Sequence, residues 1–341
     1  MSPATSAPAA DPFGESAVAK FSLRLQLLGA SILFESNSGH LLRLVKAAYA
    51  GLPAHRLQGP APRLRIRLHL APVQRARRRR RPAPLTMMGG LGLLGATTGA
   101  TNTVIVSPQQ RAALVVVTPA MLEHPYLLRY EIIEFAVLTL ATRVRALVPL
   151  HAACFGQGDR GVLLMGHSGA GKSTLALQAL LRDWDFVSED AVFVAPETMH
   201  ATGAANFLHI RANALRWVEQ DDTATRIRSS PIITRRSGVR KFEVDLRKVR
   251  WRAAPRPLKL VAAVFVSPRG SGRGPLLRPL RRIDWIPRLA LAQPYAANLP
   301  GWRDFTRNLS HLAVVELRRG RHPAEGLDAV QSLLGGTCAL P

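Results

Sequence analysis

Residues 161–174 read GVLLMGHSGAGKST and contain the pattern G-x-x-x-x-G-K-[ST], matched by Gly166, Gly171, Lys172 and Ser173. In this P-loop pattern, glycines let the backbone turn tightly and bring successive N–H groups against phosphate oxygens. The lysine reaches the β- and γ-phosphates, and the hydroxyl binds Mg²⁺. An apolar run precedes the loop and helical spacing follows it, as a strand–loop–helix unit requires. The sequence therefore predicts a site for ATP and Mg²⁺. The residues expected around the phosphates are Gly166, His167, Ser168, Gly169, Ala170, Gly171, Lys172, Ser173 and Thr174.

The chain has 341 residues, of which 47% are apolar, enough for one large or two ordinary domains. Residues 1–20 are predicted to be a disordered tail. Alternating and helical patterns over residues 21–145 predict a smaller α+β domain for recognition or assembly. An α/β domain with the P-loop is expected over residues 146–335. The main predicted elements are strands at 21–25, 63–68, 103–106, 114–118, 150–155, 162–165, 186–188, 191–194, 260–266 and 313–317, and helices at 40–50, 126–147 and 324–334.

The formal net charge is +24, and 40 of the 46 basic residues are arginine. Because arginine is spread through the whole chain, the charge does not by itself define a binding face. The densest run, Arg75 to Arg81, is flanked by prolines and is typical of a solvated loop. The alternative is a docking site for an acidic partner, nucleic acid or lipid headgroups. Nucleic acid is the less expected of these, because no aromatic residue within the run could stack on bases.

Cys154 and Cys338 are far apart and match no metal or redox spacing, which favours a reducing, cytoplasmic setting. The N-terminus has neither a basic segment nor an apolar core, so we do not expect a signal peptide. Residues 85–100 are apolar but too short to span a bilayer. A soluble protein without a membrane span is expected, and the sequence leaves its oligomeric state open, a homo-oligomer included.

Two adjacent carboxylates, Glu189 and Asp190, follow a short predicted strand, 17 and 18 residues beyond Lys172. Carboxylates downstream of a P-loop suit Mg²⁺ coordination and acceptance of a hydroxyl proton. An acidic pair alone is most often a solvated turn, and the P-loop upstream favours the functional interpretation. If the strand continued, the two side chains would point in opposite directions, one toward metal and the other toward the acceptor.

His151 is placed on the predicted strand just before the P-loop strand. A strand histidine is usually a core residue. If the two strands are neighbours, its ring could instead lie near the transferred phosphate or orient a carboxylate.

The spacing of these three elements, with His151 15 residues before Gly166, is similar to that in the catalytic domain of bacterial HPr kinase/phosphorylase. The resemblance covers about residues 148–195. It implies a fold similar to the nucleotide domain of phosphoenolpyruvate carboxykinase and transfer of phosphate from ATP to a serine hydroxyl. It also implies that Lys172 holds the phosphates, that Ser173 binds Mg²⁺, and that His151 is an auxiliary active-site residue. The base and second metal ligand would be Glu189 and Asp190, in either assignment.

The chain departs from that family in three places. The family's first acidic residue is an aspartate, whereas here it is Glu189. Its later Glu-x-Arg-Gly segment, associated with phosphorolysis, has no clear counterpart, and the nearest stretch is residues 209–212. The N-terminal part has no likeness to that of the true HPr enzymes. The chain thus resembles divergent members that act only as kinases on another protein or peptide acceptor, a ribosomal peptide being one such acceptor.

Two alternatives remain at the level of sequence. An ordinary P-loop NTPase would couple ATP hydrolysis to assembly, although the chain has no long apolar strand ending in a single aspartate and no Leu-Ser-Gly-Gly-Gln segment. A non-catalytic ATP-binding protein would explain the departures as lost chemistry. Further candidates for a clamp on the γ-phosphate are Arg211, Arg216, Arg240 and Lys241, the last two in a glycine turn over residues 237–242.

Overall fold

The fold was obtained as a computed structural model that describes residues 19–72, 81–99, 101–249, 251 and 253–335. Most of the predicted N-terminal tail, most of the arginine run and Cys338 lie outside these residues. Among the residues described, no helix is long and apolar enough to cross a membrane. The described residues form a mixed α/β structure with three sheets.

The first part of the chain forms a seven-stranded sheet in the order β1-β2-β3-β7-β6-β5-β4, in which β3 is parallel to both β2 and β7. The sequence alternation explains its faces. In β3, Leu64, Ile66 and Leu68 are buried while the arginines between them are exposed. Helix α1 (Gly39–Tyr49) packs against β1 and β2. The strands are β1 (Phe21–Leu27), β2 (Ala30–Ser36), β3 (Arg63–Leu70), β4 (Thr86–Gly90), β5 (Leu93–Thr98), β6 (Asn102–Ser107) and β7 (Ala112–Val117).

The helix predicted over residues 126–147 is present, but it is not a uniform α-helix. It consists of α2 (Pro125–Leu127), a π-helical segment (Leu128–Ile133) and α3 (Glu134–Arg145). A π-helical turn adds a residue to the turn and is frequent at functional sites. Here it carries Arg129 and Tyr130, which line a cavity beside the acidic pair.

A nine-stranded sheet is centred on β10 and β17, which are parallel to each other. The P-loop strand β10 is buried on both faces, which explains its continuous apolar run. Leu164 packs with helices α4 and α8 on one side, and Leu163 packs with α6 and α7 on the other. The strands are β8 (Val148–Leu150), β9 (Ala153–Gln157), β10 (Arg160–Met165), β11 (Asp185–Ser188), β12 (Val192–Ala195), β13 (His200–Thr202), β17 (Leu258–Gly270), β18 (Leu277–Pro279) and β19 (Ala313–Arg319). The helices are α4 (Lys172–Leu181), α6 (Arg282–Ala292), α7 (Trp302–Leu309) and α8 (Pro323–Leu334).

A small antiparallel sheet in the order β14-β16-β15 lies beside the P-loop helix. Sequence patterns had not indicated it, because its strands are short and two of them are separated by helix α5 (Asp221–Arg228). Leu208, Ile210 and Val244 anchor it in the core around α4. Its strands are β14 (Phe207–Ile210), β15 (Ile232–Thr234) and β16 (Arg240–Asp245).

The predicted single strand over residues 150–155 is wrong. β8 pairs with β12, whereas β9 lies between β10 and β11, so the chain changes neighbours after Leu150. His151 and Ala152 occupy the break, and His151 is therefore not a strand residue. Its backbone is held instead by the buried Gln293, whose Oε1 accepts from His151 N at 2.8 Å and whose Nε2 donates to His151 O at 3.1 Å. The imidazole is left about half exposed at the edge of the site.

Candidate active site

The glycines of the P-loop have conformations that explain why glycine is needed there. Gly169 and Gly171 have φ of 85° and 115°, which side chains disfavour. At Gly166 an added Cβ would lie 2.8 Å from the carbonyl oxygen of Val266. The loop therefore packs directly on β17, and α4 begins at Lys172 immediately after it.

Lys172 is buried and turned back onto its own loop, where Nζ donates to the Gly166 carbonyl at 2.7 Å. Burial lowers the pKa of this lysine, and the carboxylates of Asp190 and Glu189 offset part of that shift. The ammonium thus lies against the loop, within the electrostatic influence of the acidic pair.

A cavity of about 280 Å³ in front of the loop brings most of the sequence-predicted residues together. Gly166 and Ala170 do not line it. The predicted residues that do are His151, His167, Ser168, Gly169, Gly171, Lys172, Ser173, Thr174, Glu189 and Asp190. Of the weaker cation candidates, Arg211, Arg216 and Lys241 line it and Arg240 does not.

Glu189 points into the interior, with only 3% of its surface exposed. Its Oε1 accepts from the His209 backbone N–H at 2.8 Å and lies 3.0 Å from His209 Nδ1, while its Oε2 is buried without a hydrogen-bond partner among the described residues. Burial raises the pKa of Glu189, but hydrogen bonding to His209, the charge of Lys241 and the Ser173 hydroxyl outweigh it and hold the pKa below its usual value. An ionised carboxylate oxygen without a partner, beside a P-loop serine, fits a bound divalent cation.

Asp190 points away from Glu189 toward two basic side chains. Its Oδ1 lies 2.9 Å from His151 Nδ1, and its Oδ2 accepts from Arg235 Nη2 at 3.0 Å. Burial raises the pKa of Asp190, but His151 and Arg235 outweigh it and hold the pKa well below its usual range. The two side chains point in different directions because β11 ends at Ser188 and the chain bends there. The Ser188 hydroxyl accepts a hydrogen bond from the backbone N–H of Asp190 in this bend.

Sequence reasoning missed the buried charge chain behind Glu189. His209 Nε2 lies 3.6 Å from Glu243 Oε1, and Arg129 of the π-helical segment forms an ion pair with Glu243. Burial lowers the pKa of His209, but Glu189 and Glu243 outweigh it, so the pKa is raised and the imidazolium is favoured. The chain of charges connects the first part of the protein to the site.

Arg235 was also missed, because nothing distinguishes it from the many other arginines of the sequence. In the sequence, His209 stands out only as the first residue of the segment nearest to a Glu-x-Arg-Gly pattern. Both residues reach the acidic pair through the small sheet and its connections, which carry no motif. No group of three or more His, Cys, Asp or Glu side chains that could hold a metal was found in the described part of the chain.

No protein-family model and no curated protein matches the chain. Among solved structures, it is similar to the Hpr(Ser) kinase/phosphatase from Coxiella burnetii, with 14% sequence identity and a TM-score of 0.27. That match covers 55% of this chain and 88% of the other. The interpretation of the site therefore depends on its own geometry.

Proposed function

We propose that the protein is an ATP- and Mg²⁺-dependent kinase that transfers the γ-phosphate to a serine hydroxyl of a protein or peptide, without phosphorylase activity. The observation that carries the proposal is a single cavity lined by the P-loop, Lys172 and two carboxylates that point to different partners. The proposed fold type is that of HPr kinase and the carboxykinase nucleotide domain, over residues 146–335. The smaller α+β unit over residues 21–145 would serve recognition.

The phosphates of ATP would lie along the loop N–H groups at the start of α4, with Lys172 on the β- and γ-phosphates. Arg211, Arg216 and Lys241 line the same cavity and would add positive charge around the γ-phosphate. Ser173 and the free Oε2 of Glu189 would hold Mg²⁺, with Asp190 the alternative ligand. When bound, Mg²⁺ would neutralise charge on the phosphate oxygens.

Asp190 is the better placed of the two carboxylates to receive the acceptor, since it lies at the half-exposed edge of the cavity with His151. Its carboxylate would hydrogen-bond the serine hydroxyl and take its proton as the new P–O bond forms and the bond to the ADP oxygen breaks. The low pKa of Asp190 makes it a weak base, so its main contribution would be to orient the hydroxyl in line with the γ-phosphate. His151 would position Asp190.

The proposal is tested by incubating the protein with γ-labelled ATP and a lysate of the source organism. Lys172→Ala is compared with wild type. Lys259→Ala is the matched control, because the Lys259 ammonium donates to the Thr198 carbonyl and its residue pairs with the start of β10, at the opposite end of that strand from the loop. Label in an acceptor with wild type and Lys259→Ala, but not with Lys172→Ala, is the expected result. Release of free phosphate without a labelled acceptor would instead indicate an NTPase, and ATP binding without turnover would indicate a binding protein; either overturns the proposal.

A further inference from the structure

A second cavity, of about 380 Å³, lies on the other side of the acidic pair, between the two parts of the chain. Tyr49 of α1, Tyr130 of the π-helical segment and Phe207 of β14 line it, and Glu189 and Asp190 border both cavities. We call it the interdomain cavity. Its position beside Asp190, opposite the P-loop, is where a phosphate acceptor would have to approach.

The walls of the interdomain cavity carry polar atoms that the protein itself does not satisfy. Seven buried side-chain nitrogen or oxygen atoms lack a hydrogen-bond partner among the described residues, and six of them belong to residues that line this cavity. Buried polar groups are otherwise nearly always paired, because an unpaired one costs about 1–3 kcal/mol. The six atoms are Tyr49 Oη, Arg129 Nε, Tyr130 Oη, Glu189 Oε2, His209 Nε2 and Arg235 Nε. Arg129, His209 and Arg235 are already paired with carboxylates through their charge, and Glu189 Oε2 is the oxygen proposed for Mg²⁺. The buried hydroxyls of Tyr49 and Tyr130 therefore remain as the groups that a polar ligand in this cavity would satisfy.

The ion pairs in the cavity indicate the sign of the charge that the ligand carries. Its three arginines each form an ion pair with a carboxylate: Arg129 with Glu243, Arg235 with Asp190, and Arg236 with Glu131. Glu134, at the start of α3, also lines the cavity, and none of the described residues forms an ion pair or hydrogen bond with it. Glu134 is therefore the carboxylate that a cationic ligand would neutralise.

The hydrogen-bonding groups around Glu134 identify the kind of cation. A primary ammonium has three N–H donors and no acceptor. The Glu134 carboxylate and the unpartnered hydroxyls of Tyr49 and Tyr130 offer three acceptors in one cavity, and tyrosine rings attract cations. Tyr49 is only 4% exposed, so its hydroxyl cannot turn to solvent instead.

The interdomain cavity is reached through an open groove of about 670 Å³ that runs past His151. Groove and cavity share Tyr130, Glu134 and Asp190. A molecule that entered along the groove could place a hydroxyl at Asp190 and extend a second group inward to Glu134.

From this arrangement we infer that the interdomain cavity binds a primary ammonium group carried by the phosphate acceptor, while the acceptor hydroxyl lies at Asp190. The inference rests on the proposed kinase function. The ammonium belongs either to a lysine side chain near the phosphorylated serine or to a small hydroxylated amine. Both present the same group to Glu134, Tyr49 and Tyr130.

The state of Glu134 adds a pH dependence. Burial raises the pKa of Glu134 to about 7, with Asp190 acting in the same direction and His209, Arg235 and Arg129 opposing it. The ammonium needs the ionised carboxylate, so transfer to an amine-bearing acceptor should rise with pH through about 7. The other titratable groups that face Glu134 are the hydroxyls of Tyr49, Tyr126 and Tyr130, whose pKa values burial raises and which stay neutral in this range.

The test uses three portions of the same lysate with γ-labelled ATP: untreated, acetylated with acetic anhydride, and reductively methylated. Acetylation removes the charge of primary amines, whereas methylation keeps it. We expect acetylation to reduce the Lys172-dependent label at least about tenfold, a loss typical of a removed charged contact, and methylation to retain part of it. Ultrafiltration of the product then separates the two sources. Label in a protein or peptide agrees with the proposed serine acceptor, whereas label in a small amine would keep the ammonium site and overturn the serine acceptor.

Two variants connect the result to the cavity. Glu134→Gln and Tyr49→Phe should each lower phosphate transfer to untreated lysate. Glu134→Gln should also abolish the increase in transfer as the pH rises through about 7. The control is Glu123→Gln, which changes an exposed carboxylate outside the cavity. Equal labelling of acetylated and untreated lysate would overturn the inference and leave the kinase intact. Absence of Lys172-dependent label in the untreated lysate would overturn the proposed function itself.

Discussion

The 280 Å³ cavity in front of the P-loop, which we call the phosphate cavity after its proposed ligand, shares the Glu189–Asp190 pair with the interdomain cavity, but the two differ in which of their other charges are paired. The phosphate cavity is lined by basic side chains that form no ion pair with a carboxylate of the described residues, among them Lys172, Lys241 and Arg211. In the interdomain cavity the arginines form ion pairs with carboxylates, and Glu134 has no ion-pair or hydrogen-bond partner in the part of the chain that the structure describes. A kinase whose anionic donor and cationic acceptor must meet at one hydroxyl requires cations without carboxylate partners on one side and a carboxylate without a cationic partner on the other.

The comparison also explains why two neighbouring carboxylates can have different tasks. Both have a pKa below the usual value, but Glu189 is held by the buried His209, and Asp190 by the half-exposed His151 and the partly buried Arg235. The end of β11 separates them, because the bend after Ser188 turns one side chain inward and the other outward. Their roles can be separated by substituting one at a time.

The largest effect is expected for Asp190→Asn. The amide can neither take the hydroxyl proton nor pair ionically with His151 and Arg235, so kcat for transfer should fall by about 10²–10⁴-fold. ATP affinity should change much less, since the P-loop is untouched. Single-turnover transfer and equilibrium binding of ATP measure the two quantities.

Glu189→Gln should act mainly on metal binding, by raising the Mg²⁺ concentration needed for half-maximal transfer. An equal loss of Mg²⁺ affinity in Asp190→Asn and Glu189→Gln would contradict the division of roles.

The next effect concerns the buried ion pair that joins the two regions. Arg129→Met leaves Glu243 buried without its partner, which should lower the free energy of unfolding by about 3 kcal/mol. Chemical denaturation at pH 7 measures this change. The matched control is Arg307→Ala, which breaks an exposed pair with Asp304 and should cost at most about 0.5 kcal/mol. Similar losses in both variants would mean that the interdomain charge chain does not stabilise the fold.

A smaller and pH-dependent effect is expected for Glu134→Gln. The folded protein holds the Glu134 proton up to about pH 7, whereas the unfolded chain releases it near the ordinary value of 4.5. The wild type therefore loses stability as pH rises between these values, by at most about 3 kcal/mol, and the variant avoids that loss. Relative to wild type, Glu134→Gln should be more stable at pH 8 than at pH 5 in denaturant titrations. A stability difference independent of pH would show that Glu134 is not held protonated.

The two cavities also differ in how far the sequence could predict them. The phosphate cavity could be predicted in large part, because many of its residues are contiguous in the P-loop or lie close to it in the sequence. Gly169 and Gly171 have the backbone conformations, and Lys172 the burial, that the P-loop pattern requires. The resemblance to HPr kinase led to the expectation that Glu189 and His151 lie beside the loop, and both line the cavity there, although His151 lies in a strand break. The break arises from a change of strand partners, which local sequence does not encode.

The interdomain cavity could not be predicted, because its residues come from distant segments with no shared motif. Tyr49, Glu134 and Phe207 look like ordinary residues of amphipathic elements, and Arg129 is one arginine among 40. What brings them together are contacts between distant segments, such as the hydrogen bond from Asn206 Nδ2 to the Ala48 carbonyl and the ion pair of Arg129 with Glu243. The π-helical segment that carries Arg129 and Tyr130 likewise has no signal in the apolar periodicity of residues 126–147.

The smallest effect is expected for His151→Gln. His151 is one of the two basic groups that hold the pKa of Asp190 low, and Arg235 keeps the other carboxylate oxygen in place. Without His151 the pKa of Asp190 should rise, so the acid limb of the pH profile of kcat should move to higher pH, while kcat at pH 8 falls less than about tenfold. His311→Gln, a histidine on the surface outside both cavities, is the control and should leave the profile unchanged. If His151→Gln instead removes transfer at every pH, the histidine itself contacts the reacting phosphate and is more than a positioning residue for Asp190.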